Sequence, residues 1–136
     1  MSEHPPTRPR FAEGTDRGEA LPVLERLLNE HNECRWRLTP DATGIHKKFR
    51  FKTFRSTWAF MNSVAEQCNA ERHHPEWTNV RLISFTGPKK TSADFREIYN
   101  QVTITWTTHQ PKGITIKDLR MAKFCDEQAT VHGEIT

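Results

Sequence analysis

The stretch Glu71-Arg72-His73-His74-Pro75-Glu76-Trp77 sets two adjacent imidazoles where a helix must stop and an extended segment begin. Proline disfavours helical geometry in the residue before it, so His74 is expected to leave the helix while His73 sits in its last turn. Imidazole is the side chain whose unperturbed pKa lies nearest neutrality, so such a corner suits general acid–base work on a bound substrate. A third imidazole, His109, closes an alternating strand in Thr107-Thr108-His109, a strand end from which a side chain can lean into a cleft. Asp118, three residues after Thr115, is the fourth residue that could carry chemistry.

Each of these residues also has a plainer reading. His73 at a helix end can satisfy terminal carbonyls, and His74 can be an exposed corner residue. Asp118 fits a helix cap without any substrate, and His109 fits a surface loop. The other histidines, His4, His31, His46 and His132, receive no role. Adjacent histidines point in different directions, and no His-x-x-x-His or His-Glu-x-x-His spacing accompanies them, so a catalytic metal is not expected. Trp58, at helical spacing, reads as core; Trp77, beside the histidines, could offer a flat face to a planar heterocycle.

Positioning these groups requires a particular set of elements. Leu21, Val23, Leu24, Leu27 and Leu28 predict an amphipathic helix over Leu21 to Glu33, with Pro22 tolerated in its first turn. Trp36 to Leu38 is short and extended, Pro40 to Gly44 supplies turn chemistry, and Ile45 to Lys52 alternates apolar and basic residues. Thr53 is a plausible N-cap for a helix in which Phe54, Trp58, Met61, Ala65 and Cys68 fall three or four apart. Trp77 to Phe85 reads as a strand, and Val102, Ile104 and Trp106 alternate cleanly before His109. Between them, Thr86 to Glu97 reads as an elongated loop or a short helical excursion around Gly87-Pro88-Lys89-Lys90. Thr115 to Asp118 has the spacing of a capping box before Leu119, Ala122 and Cys125.

The resulting order α-β-β-α-β-β-α predicts an α+β fold: a four-stranded antiparallel sheet with about three helices on one face. If the strands from Trp77 and Tyr99 pair as neighbours, the start of one lies beside the end of the other, bringing His74 and His109 together.

A chain of 136 residues with 35% hydrophobic and 10% aromatic content suits one domain. The opening segment 1–20 carries three prolines, two glycines and several charges but one large apolar residue, Phe11, and is expected to be a flexible tail before a domain spanning 21–136. A formal charge of +3 from 20 basic and 17 acidic residues is a mixed surface, not the basic stripe of a nucleic-acid reader, although Lys89-Lys90 keeps RNA or DNA binding as a weak third reading. Cys34, Cys68 and Cys125 are odd in number and widely spaced, without a Cys-x-x-Cys pair, so they read as reduced side chains used mostly in the core. No apolar run nears bilayer length, and the amino terminus lacks both a secretory core and the acid-poor composition of a transit peptide. A soluble, cytoplasmic protein is the expectation, with the nucleus as a second location.

The segments His73-His74-Pro75-Glu76-Trp77 and Asn79-Val80, the strand from Tyr99 to Thr105 with its Thr107-Thr108-His109 end, and Asp118 opening the last helix together resemble the pterin-4a-carbinolamine dehydratases. Phe49-Arg50-Phe51-Lys52-Thr53-Phe54 and Trp58-Ala59-Phe60-Met61 are similar to that family's strand and central helix, and the resemblance spans about Leu21 to Ala129. It implies a lyase without cofactor, in which the pterin is the substrate. Water is removed from 4a-hydroxytetrahydrobiopterin to give quinonoid dihydrobiopterin, in recycling of the reduced pterin. It further implies a pocket formed by His73, His74 and His109, with Asp118 in support. Pro75, Trp77 and Thr108 would lie against the substrate. His74 and His109 are the favoured proton-transfer pair, with His73 binding or sharing that role.

Two departures accompany the resemblance. The carboxylate that the family often carries one turn before the first histidine is here Asn69, so an acid must come from elsewhere, Glu66 or Glu71 being candidates. The stretch Arg81 to Ile98 looks like an insertion between the paired strands that could extend the hairpin, cover the pocket or alter subunit contacts, and it puts in question the higher assembly of the homodimers and homotetramers typical of the family. The rival reading is a module without catalysis, a dimerisation cofactor for a transcription factor.

Overall fold

The computed structural model describes residues 8–29, 36–86 and 95–135. Helix α1, Arg17–Leu28, begins where the Asp16 side chain accepts a hydrogen bond from the Glu19 N–H, and it buries Ala20, Leu24 and Leu27. That start lies before the predicted Leu21 because Arg17 to Glu19 carry no apolar signal; Pro22 therefore sits inside the helix and leaves the Gly18 carbonyl without its usual donor. The expected tail to residue 20 is corrected for residues 8–20. Phe11 bridges Ile114 in parallel, and the Ala12 N–H donates to the Ile114 carbonyl at 3.0 Å. Gly113 permits this docking: at φ 137° it occupies a region that side chains rarely enter, and a Cβ there would lie 2.5 Å from the Ala12 nitrogen. Residues 1–7 and the predicted end of the first helix, 30–33, lie outside the described residues, as does Cys34.

Strand β1, Arg37–Leu38, turns through residues 39–43 into β2, Gly44–Phe51. Asp41 organises that turn by accepting from both the hydroxyl and the N–H of Thr43 and from the Thr39 hydroxyl. These bonds hold its carboxyl at about 2, with the Thr43 hydroxyl as the largest cause. Helix α2, Phe54–Glu71, is capped by Thr53, as its sequence predicts. Next come β3, Glu76–Thr86, and β4, Phe95–His109, then the short β5, Lys112–Gly113, and α3, Ile116–Val131. The sheet is antiparallel in the order β1-β2-β4-β3, with β5 beside β4. The fold is therefore α+β, an open antiparallel sheet with three helices, and β5 adds a short strand to the four predicted.

Residues facing each other across the strands share one face, so Phe49 and Val102, or Ile45 and Trp106, form rows toward the helices. Those rows pack against Leu24, Phe60, Val64, Leu119, Met121 and Trp36, all fully or almost fully buried. The loop or helical excursion expected from Thr86 is corrected to a lengthened hairpin, one of the outcomes open to the 81–98 insertion. Pairing continues from Arg81 opposite Asn100 to Thr86 opposite Phe95, and only 87–94 lie outside the described residues.

Trp58 is also corrected. It is 58% exposed and stacks on the equally exposed Phe54, with ring centroids 6.1 Å apart. The buried stripe of α2 is Thr57, Phe60, Val64 and Cys68, one position removed from the stripe read in the sequence. Cys68 and Cys125 are buried free thiols, and burial pushes both thiol pKa values up, Cys68 to about 11. No helix among the described residues is long and apolar enough to cross a membrane.

Candidate active site

The two adjacent histidines are separated by a backbone reversal. Helix α2 ends at Glu71, and Arg72 takes the left-handed conformation at φ 55°. The His73 N–H then returns to the Cys68 carbonyl at 3.1 Å, so one turn of helix carbonyls is satisfied as the chain swings away. His73 thus lies beyond the helix, not in its last turn as predicted. Its ring stacks on Trp106 of β4 at 5.6 Å and 19°, against a fully buried floor.

From the opposite side comes Asp118. Thr115 caps α3 and forms a complete capping box with Asp118, as the spacing predicts. The carboxylate is fully buried and nevertheless saturated. Its Oδ2 accepts from the Thr115 N–H at 2.9 Å, from the Thr115 hydroxyl at 3.1 Å and from the Thr108 hydroxyl at 2.9 Å. Its Oδ1 lies 2.5 Å from His73 Nε2. An ionised carboxylate can only accept here, so Nε2 carries the shared hydrogen, and in the corresponding neutral tautomer Nδ1 is the acceptor. The carboxylate that caps α3 is thus also the one bonded to the His73 ring.

His73 and Thr108 line a cleft of about 600 Å³, closed on other sides by Gln110, Pro111, Thr115, Ile116 and Lys117. Its remaining wall is the segment Glu13 to Asp16 with Glu19, none of them a site residue by sequence reasoning. The spacing Asp16-Arg17-Gly18-Glu19, an N-cap residue followed three later by an acid, was the available signal for an earlier helix start. That volume is within the range that admits a bicyclic ligand.

The remaining predicted residues are distributed around this corner. His109 is 72% exposed at the end of β4, between Thr108 and Gln110, with Nε2 3.6 Å from Glu76 Oε2. His74 is exposed and makes no polar contact with another described residue. Pairing of Glu76 with Thr105 brings the two strand ends to the same side of the sheet, yet no contact joins the His74 and His109 rings among the described residues. Pro75 and Trp77 are half-buried; Trp77 packs on the core opposite Ile104 and does not line the cleft. Thr108 donates to Asp118, so its hydroxyl serves the carboxylate. The acid beside His73 is Asp118, while Asn69 and Glu66 are exposed, and Glu71 accepts from Gln67 and sits 3.6 Å from Arg120. No group of three or more His, Cys, Asp or Glu side chains among the described residues is arranged to hold a metal.

The comparisons with known proteins point to the same region. The family of pterin 4 alpha carbinolamine dehydratases matches residues 22–82 and 88–128, covering the histidine corner, β4 and most of α3. A protein of Rhodospirillum rubrum named "Putative pterin-4-alpha-carbinolamine dehydratase" is 33% identical over 105 residues, covering 77% of this chain and 88% of that one. A protein of the same name from Novosphingobium aromaticivorans is 36% identical over 99 residues, covering 73% and 82%. Among solved structures, a transcriptional coactivator/pterin dehydratase from Brucella melitensis superimposes with a TM-score of 0.60 at 26% identity, over 84% of this chain and 96% of that one. Given the extent of the family match and the identity with these relatives, the chain belongs to the pterin 4 alpha carbinolamine dehydratase family.

Proposed function

We propose that this chain is a hydro-lyase that dehydrates 4a-hydroxytetrahydrobiopterin to quinonoid dihydrobiopterin in the cytoplasm, within tetrahydrobiopterin regeneration. One observation carries the reading: in a chain of this family, a histidine held by a saturated, buried carboxylate forms the wall of a cleft of about 600 Å³. Loss of water requires a proton on the C4a hydroxyl and removal of one from a ring nitrogen, after which the C4a–O bond breaks and a carbon–nitrogen double bond forms. Nothing is oxidised, so acid–base groups suffice, the pterin enters as substrate, and no separate cofactor or metal is invoked.

His73, His74 and His109 are the proposed catalytic residues. With Nε2–H given to Asp118, His73 offers Nδ1 as a base, and Asp118 supplies the countercharge once the ring takes up a proton. Of the two parts that the resemblance leaves open to His73, binding or a share in proton transfer, the second is proposed here. His109, exposed beside Glu76, is the candidate acid, and His74 shares the corner. Purified protein should accelerate 4a-hydroxypterin dehydration above the spontaneous rate, and His73→Ala should remove that acceleration. Wild-type turnover equal to the spontaneous reaction would end the proposal.

A second reading is a protein-binding role beside a transcription factor. It is supported by the coactivator named in the Brucella melitensis relative and by the exposed Phe54–Trp58 pair on α2. Assembly as a homodimer or homotetramer belongs to the same proposal. Capture of a helical dimerisation peptide that survives His73→Ala but fails with Trp58→Ser would favour it.

A further inference from the structure

The wall that faces His73 is fastened to the fold at several points. The Arg10 N–H donates to the Ala42 carbonyl at 2.8 Å, and the Ile114 N–H donates to the Arg10 carbonyl at 2.9 Å. The Thr15 N–H then turns back to the Ala12 carbonyl at 3.1 Å, while its hydroxyl reaches the Ile114 carbonyl at 3.4 Å. Residues 10–15 are thereby tied to the segment that leads from β5 into α3, the same segment that carries Thr115 and Asp118. Each side of the cleft is positioned with respect to the other.

The charge of this wall is one-sided. Glu13, Asp16 and Glu19 line the cleft with three carboxylates, and Lys117 is the single cation among the described lining residues. Lys117 is already engaged, its Nζ donating to the Glu71 carbonyl at 2.9 Å, and Asp16 accepts from the Glu19 N–H as the cap of α1. The carboxylates of Glu13 and Glu19 are exposed and have no hydrogen-bond or ion-pair partner among the described residues. Residues 13–19 precede the residues that the family model matches, 22–82 and 88–128, so this acidity is not among the features that place the chain in its family. An anion seated against such a wall is repelled, and it lies inside the screening length of about 8 Å at physiological salt. The same oxygens accept hydrogen bonds from hydroxyl groups, so a neutral polyol gains where a carboxylate or phosphate loses.

We propose that Glu13 and Glu19 are specificity-determining residues of the His73 cleft. They admit pterins whose side chain is neutral and hydroxylated, and they reject pterins whose side chain ends in a phosphate or a carboxylate. The proposal rests on the dehydratase reading and narrows its substrate class. Neither residue moves a proton of the substrate, so the selection acts on binding and not on the chemical step.

The test pairs dihydroneopterin with its monophosphate, two pterins that differ by one phosphate group, in equilibrium binding to the full chain followed by pterin fluorescence. The monophosphate should bind at least about tenfold more weakly, the penalty expected of like charges brought into one site. In a Glu13→Gln, Glu19→Gln double variant that gap should shrink to about threefold or less, through tighter binding of the monophosphate, while a Glu13→Asp, Glu19→Asp variant should keep it. Both positions are exposed, so the unfolding midpoint should stay at the wild-type value. Equal binding of the two pterins by the wild type, a gap that the glutamine variant leaves intact, or no binding of either pterin would overturn the proposal. The outcome is separable from that of the dehydratase reading. The expected gap without accelerated dehydration would support the wall and end the catalytic reading, whereas accelerated dehydration with equal binding of both pterins would overturn the wall alone.

Discussion

Two histidines of this protein each face an acid, and the two pairs share almost nothing else. His73 and Asp118 approach to 2.5 Å with side chains 13% and 0% exposed; His109 and Glu76 stand 3.6 Å apart at 72% and 63%. The first pair is enclosed by Thr108, Thr115 and Trp106, so its geometry is fixed before any ligand arrives. The second stands in water, where the mutual attraction is screened and the ordering of two side chains offsets most of it. One imidazole is therefore preorganised and the other adaptable, as expected if one holds a proton site in place and the other meets a substrate that comes and goes.

The hardest way to break this contrast is to remove the buried acid. Asp118→Ala should leave His73, the Thr115 N–H and the Thr108 hydroxyl without their acceptor, costing on the order of 3–5 kcal/mol in urea unfolding and abolishing dehydration. His73→Ala should lower dehydration by about 10²–10⁴-fold, read in single-turnover assays, and destabilise by about 1–3 kcal/mol because Asp118 Oδ1 loses its donor. His109→Ala should match it in activity if it is the acid but move stability by no more than about 0.5 kcal/mol. Equal destabilisation by the two would erase the distinction drawn between the pairs.

Glu134 sharpens the contrast from the side of pH. Its Oε2 is buried without a hydrogen-bond partner among the described residues, and burial raises its pKa. The folded state then holds the proton more tightly than the unfolded chain, so ionisation penalises folding above the raised value, and the penalty fades below the ordinary carboxyl range. Glu134→Gln should accordingly raise the melting temperature slightly at neutral pH, with the advantage vanishing on acidification. The smallest effect is expected at the exposed Glu76: Glu76→Gln should leave stability within about 0.5 kcal/mol at any salt concentration.

Much of this arrangement is legible in the amino acids because it is local. Thr53 and Thr115 announce helix starts through spacing alone, and the alternation Val102-x-Ile104-x-Trp106 fixes which side of β4 is buried. What periodicity does not separate is two neighbouring stripes on one helix. In α2 the buried stripe includes Thr57, whose hydroxyl is satisfied by the Thr53 carbonyl at 2.8 Å, so a polar residue hides the true inward face while Trp58 imitates it. The start of β4 before Tyr99 was hidden by the polar composition around it, and the N-terminal wall of the cleft by a lack of apolar residues. Both depend on backbone pairing, which leaves little trace in side-chain chemistry. Asp118 could be read from sequence as the support of an unspecified histidine, with Glu66 or Glu71 as the acid near His73; that Arg72 turns the His73 imidazole toward Asp118 could not.

Gly113 ties these regions together. Its missing side chain is what allows residues 11–12 to lie flat beside Ile114, and those residues lead directly into the wall facing His73. A single methyl group introduced there would push that wall outward while leaving every imidazole in place. In a genetic screen such a change would masquerade as a catalytic lesion, and in an expression vector a bulky fusion joined close to residue 8 would carry the same hazard.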